Sequence, residues 1–124
     1  MSVPFDKVSK GKEAEAEAVK FLKGRGYRIM ERNYRCPFGE VDLVAKDGDT
    51  IVFVEVKSNS TSDFGPPKGR VDSRKQRRII RSSLHYLTRH RLTDLHVRFD
   101  VVSIEFRDGS VTTELVKDAF EASG

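Results

Sequence analysis

The 124 residues form a chain the size of one folding unit, 37% hydrophobic, 34% charged and +4 in net charge. Its apolar residues are clustered, which excludes wholesale disorder. The longest strongly apolar run, Ile51-Val52-Phe53-Val54, is far short of the roughly 20 residues of a membrane span, and no basic start with an apolar stretch marks a secretory signal. The single cysteine, Cys36, excludes an internal disulfide, and Cys and His lack the spacing of a structural zinc site, so the expectation is a cytoplasmic protein without a membrane segment.

Residues 1–8 read as a loose start to a single domain spanning 1–124. From about Ser9 to Arg25, the spacing of Ala14, Ala18, Phe21 and Leu22 predicts a helix, stopped by Gly24 and Gly26. At about 100° per residue, Glu15 lies roughly 60° from the mean apolar direction, Glu17 roughly 100° and Glu13 roughly 140°. Glu15 is thus the acid best placed to look inward. Tyr27–Arg35 reads as extended. Glu40–Lys46 and Thr50–Lys57 are two strands joined across Asp47-Gly48, a hairpin signal, and the second is apolar on both faces as a central strand is.

A polar loop with Gly65, Pro66, Pro67 and Gly69 follows. Asp72 or Ser73 then caps a helix to about Arg91, with Gln76, Ile79, Ile80, Ser83, Leu84 and Leu87 along one side. Arg98–Phe106 is a further strand, turned at Asp108-Gly109 into Val111–Val116, and 118–124 is a tail. The order predicts an α/β (α+β) sandwich with helices covering a central mixed sheet.

Charge is unevenly spread. From Arg70 to Arg91 eight cations face one acid, Asp72, which makes this segment +7 and the remainder −3. On the helix Arg74, Lys75, Arg77, Arg78 and Arg81 have no acid to pair with at i+4, a pattern suited to phosphates, and Arg70 just before it is counted with them as a nucleic-acid contact.

The chemistry gathers on the hairpin. Alternation puts Glu55 and Lys57 on the face of Ile51 and Phe53. A two-residue turn at Asp47-Gly48 sets Asp42 diagonal to Glu55, within roughly 7–8 Å, whereas a loop from Asp47 to Thr50 sets the two directly opposite. Either register brings Glu40, Asp42, Glu55 and Lys57 to one surface. Opposed carboxylates are destabilising unless neutralised, and Mg²⁺, with one or two carboxylates and a substrate phosphate, neutralises them well. Tyr34 and Phe38 flank this strand pair, with core packing as their default and base stacking as the alternative. Arg98 and Asp100 share a face and are expected to form an ion pair. His85, His90 and His96 have no ligand spacing and are expected on the surface or in helix packing.

These residues carry a resemblance. "GEVDLVA" (Gly39–Ala45) followed by "VFVEVK" (Val52–Lys57) resembles the D…(D/E)-x-K core of the PD-(D/E)XK nuclease superfamily. More narrowly, Glu15 with Ala18 and Leu22, Gly26-Tyr27, "ERNYR" (Glu31–Arg35), Gly65, "KQRRI" (Lys75–Ile79), Tyr86-Leu87 and "RFDVV" (Arg98–Val102) resemble the bacterial YraN family, related to archaeal Holliday-junction resolvases. The resemblance implies a restriction-endonuclease-like three-layer α-β-β-β-α-β core. It implies Glu15, Asp42 and Glu55 as metal-binding acids, Lys57 as catalytic lysine and Gln76 as an accessory catalytic residue. The chain departs from the family pattern at Ala14, Val41 and Asn59, none of them among those five. The expected activity is Mg²⁺- or Mn²⁺-dependent hydrolysis of DNA, branched or single-stranded, selected by structure and carried out by a homodimer. The alternatives are a nucleic-acid-binding module of the same fold with little turnover, and a protein-interaction adaptor.

Overall fold

The computed structural model describes residues 7–60, 71–92 and 94–122. The elements run α1 (Lys7–Gly24), β1 (Arg28–Cys36), β2 (Gly39–Asp47), β3 (Thr50–Ser60), α2 (Ser73–Arg89), β4 (His96–Arg107) and β5 (Ser110–Phe120). This is the expected α-β-β-β-α-β order with one strand added.

The five strands lie in one mixed sheet in the order β1-β2-β3-β4-β5. The β3–β4 pair is parallel and the others antiparallel, so α2 serves as the crossover from β3 to β4. As the middle strand, β3 is covered on both faces, and Ile51 through Val54 are all buried. One face packs Val52 and Val54 with Leu43 and Val102 against Ala14, Ala18 and Leu22 of α1. The other packs Ile51 and Phe53 with Val44 and Phe99 against Ile79, Tyr86 and Leu87 of α2. The result is three layers, helix, sheet and helix.

Asp72 caps α2, its Oδ1 accepting from Lys75 N at 2.9 Å. The β2–β3 turn sits one residue later than Asp47-Gly48. Asp47 pairs with Thr50, leaving Gly48-Asp49 as the loop, with Gly48 at φ +61 in the first central position that a type II′ turn reserves for glycine. The register is therefore Lys46↔Ile51 and Leu43↔Val54.

Two expectations are corrected. Leu84 is not inward but 61% exposed, because the buried stripe of α2 is Ile79, Ser82, Ser83, Tyr86 and Leu87. The segment from 118 is not all tail. β5 continues to Phe120, whose ring is buried and stacks on Phe99 at a centroid distance of 5.0 Å.

The predicted Arg98–Asp100 pair forms at 2.9 Å within a larger network. Asp100 is fully buried and also accepts from the Tyr27 hydroxyl at 2.9 Å and from Asp118 N at 3.0 Å. Arg98 reaches on to Asp47 at 2.9 Å. Burial, then Asp100, pushes the Tyr27 phenol above its usual range.

Candidate active site at the parting of β2 and β3

The site forms where two strands separate. The β2–β3 ladder ends at Leu43↔Val54, one step before Asp42 would face Glu55. Beyond that point the Asp42 side chain takes over from the ladder, its Oδ2 accepting from Val56 N at 2.8 Å.

Regular alternation also stops here. Leu43 belongs to the α1-side core, yet Val41, two residues away, belongs to the α2-side core. The neighbouring strand turns with it. Arg32 binds Glu15 of α1, while Tyr34 is buried in the α2-side core. Between them Asn33 is left-handed at φ +54, a conformation asparagine tolerates better than most residues. Asp42 thus stands at an irregularity shared by β1 and β2, between the two faces of the sheet.

On the α2 side it meets Glu55, which is buried in spite of its charge. Lys75 of α2 places its Nζ 2.5 Å from Glu55 Oε2, and apart from that ammonium no described donor satisfies this oxygen. Burial first, then the Glu55 carboxylate, pushes the Asp42 carboxyl up to about 8, against the opposing pull of Val56 N–H and Lys75. Burial alone would lower the Lys75 ammonium, but Glu55 raises it. Lys57 is half-buried two residues along the same face from Glu55.

On the α1 side Asp42 lines a cleft of about 290 Å³ with Glu15, Asn33, Glu40, Val56 and Ser58. Glu15 is turned inward as its helical angle predicts. It is held by Arg32 Nε at 2.9 Å and Asn33 Nδ2 at 3.0 Å, both to Oε1. Among the described residues, no three His, Cys, Asp or Glu side chains are close enough together to hold a metal. Asp42 and Glu55 are held together under burial, and Glu15 shares the α1-side cleft with Asp42.

Gln76 is not brought to the carboxylates. Its Nε2 donates to Val71 O at 2.7 Å, and its neighbour Lys75, read from the sequence as a phosphate contact, is the residue that reaches Glu55. Arg74, Arg77, Arg78 and Arg81 are exposed on α2 and make no ion pair with a described residue. Arg70 lies outside the described residues. Tyr34 takes its default role in the core, at 2% exposure. His90 stacks on Tyr86 at 4.1 Å, a helix-packing role. Among the described residues, no helix is long and apolar enough to cross a membrane.

The sequence profile of the uncharacterised protein family UPF0102 matches residues 14–104. A UPF0102 protein of Geotalea uraniireducens is 51% identical over 117 residues, covering 94% of this chain and 92% of the relative. One of Syntrophus aciditrophicus is 50% identical over 111 residues, covering 90% and 87%. A third, of Myxococcus xanthus, is 39% identical over 121 residues, covering 98% and 96%.

Proposed function

The chain belongs to the uncharacterised protein family UPF0102, the YraN family, and from the geometry of its strand junction we propose that it hydrolyses DNA phosphodiester bonds with Mg²⁺ or Mn²⁺. The observation that carries this reading is the buried Asp42–Glu55 pair, two carboxyl groups held together beside a basic helix with the Lys75 ammonium on Glu55. Such an arrangement is costly for a fold and useful for gathering a divalent cation and a phosphate.

Asp42 and Glu55 would hold the cation, with Glu15 positioned to reach its waters across the cleft. A bound divalent ion supplies charge that polarises the phosphodiester and favours ionisation of the attacking water. Lys57 places a further positive charge beside the phosphoryl oxygens as negative charge develops there. Water adds at phosphorus and the bond to the leaving oxygen breaks, giving a phosphomonoester and an alcohol. Arg74, Arg77, Arg78 and Arg81 hold the backbone without reading base edges, so selection rests on DNA structure, including branched forms.

The test is a panel of labelled branched and linear DNAs with Mg²⁺ or Mn²⁺. Glu55→Gln and Lys57→Ala are expected to slow cleavage by about a hundredfold or more while DNA is still retained. Cleavage by these variants at the wild-type rate would reject the assignment. One observation favours the second reading, a binding module with little turnover: Lys75 occupies the carboxylate that a cation would need. On that reading DNA is retained but no metal-dependent product forms.

A further inference from the structure

The tip of the first hairpin builds a second surface on α2. Cys36 pairs with Gly39, so Pro37 and Phe38 form a two-residue tip. Gly39 has φ +140, and a Cβ there would lie 3.5 Å from Ser82 Oγ and 3.7 Å from Arg78 Cβ. Those are ordinary contact distances, so it is the positive φ, rarely adopted by L side chains, that favours glycine where the tip meets the helix.

Phe38 is thereby carried past the core. It is 47% exposed, with its ring centroid 6.1 Å from that of His85 at an interplanar angle of 66°. His85 is itself fixed by a hydrogen bond between its Nδ1 and the hydroxyl of buried Tyr34. Leu84 completes an apolar floor, and Arg81 and Arg89 stand one helical turn either side of His85. Together they line a cleft of about 730 Å³.

Charge identifies the occupant. In a two-fold contact between copies this patch would meet itself and oppose Arg81 and Arg89 to their own counterparts. A polyanion that also carries a flat apolar surface suits both the cations and the ring.

We infer that Phe38, His85 and Leu84 form a subsite for an unpaired nucleobase, delivered by a single-stranded segment whose phosphates follow Arg78 and Arg81. This rests on the reading of α2 as a DNA-facing helix. His85 is ten residues beyond Lys75, about 15 Å along α2, so a strand reaching both Glu55 and Phe38 spans a few nucleotides. Stacking on a phenyl ring accepts any base, since every base has a π face. What the subsite recognises is therefore unpairedness, as in a flap or an open junction.

The test measures binding of the full chain, in EDTA, to a duplex with a short flap and to the same duplex whose flap lacks bases. Wild type is expected to prefer the base-bearing flap by about tenfold. Phe38→Ala should erase that preference without weakening binding to the abasic flap, and Phe38→Trp should keep it. 2-Aminopurine in the flap should be quenched by wild type and not by Phe38→Ala. Equal affinity of wild type for both flaps, or equal losses on both with Phe38→Ala, would overturn the subsite and leave the phosphodiester reading standing. Failure to bind either flap would overturn both. A wild-type dimer that Leu84→Glu dissociates in sedimentation would also overturn it, by assigning the patch to a second copy.

Discussion

Asp42 answers to opposing demands. Its bond from Val56 N–H favours the carboxylate, whereas burial and the Glu55 charge favour the acid, and the balance leaves the group at about 8 rather than 3.8. Between those values the folded protein holds a proton that the unfolded chain has released. This contribution to stability is complete below the ordinary Asp range and is lost as pH rises through about 8. In chelator, the urea midpoint of wild type is expected to fall from mildly acidic pH to about 8 and then level, while Asp42→Asn is flatter over the same interval. Parallel profiles for the two proteins would show that Asp42 is not the titrating group.

Lys75 shows how little separates a surface cation from a site residue. The buried stripe of α2 is rotated by roughly 100° from the one that Ile80, Leu84 and Leu87 suggest, which turns Lys75 as far inward as Gln76. The signal was present in Ser82-Ser83. Ser82 is the small residue that faces the hairpin at Gly39, and both serines are buried.

At the level of elements, the sheet has two unlike ends. Near Asp42 the β2–β3 ladder lapses and a carboxylate fills the gap. Around Asp100 the β4–β5 register shifts between Phe99 and Val101, and the left-handed Asp118 turns its N–H onto the buried carboxylate. There the charges are fully answered, by Arg98, Tyr27 and a backbone amide. Asp100→Ala would take the buried carboxylate from Arg98, Tyr27 and Asp118 N–H, leaving Arg98 only Asp47 and the Tyr27 hydroxyl among the described partners, and is expected to cost about 3 kcal/mol or more in urea unfolding. An unchanged midpoint would remove the network from the account of stability. At the Asp42–Glu55 end Val56 N–H and Lys75 answer the two carboxyls less completely, for Asp42 is still pushed up by burial and by Glu55, which is why it is the end proposed to act.

For the whole molecule, the +7 segment from Arg70 to Arg91 against −3 elsewhere predicts a salt-sensitive association with nucleic acid. Replacing Arg78 and Arg81 by Gln should reduce the slope of log affinity against log salt by roughly 0.7 to 0.9 for each cation that met a phosphate. Titrations at several salt concentrations decide this, and an unchanged slope would move the DNA path off α2.

Much of the molecule was legible in the chain itself. Alternation along Ile51–Lys57 placed Glu55 and Lys57 on one face, helical angle turned Glu15 inward, and the apolar stripes located the strands and helices, because each of these depends on local periodicity. Where the β2–β3 ladder ends, how far α2 is rolled on the sheet and where the hairpin tip rests were decided only by packing between distant segments. Those three settings put Asp42 in the gap between strands, Lys75 rather than Gln76 at Glu55, and Phe38 at the surface. Each reflects a non-local fit of volume and charge that no repeat in the sequence encodes.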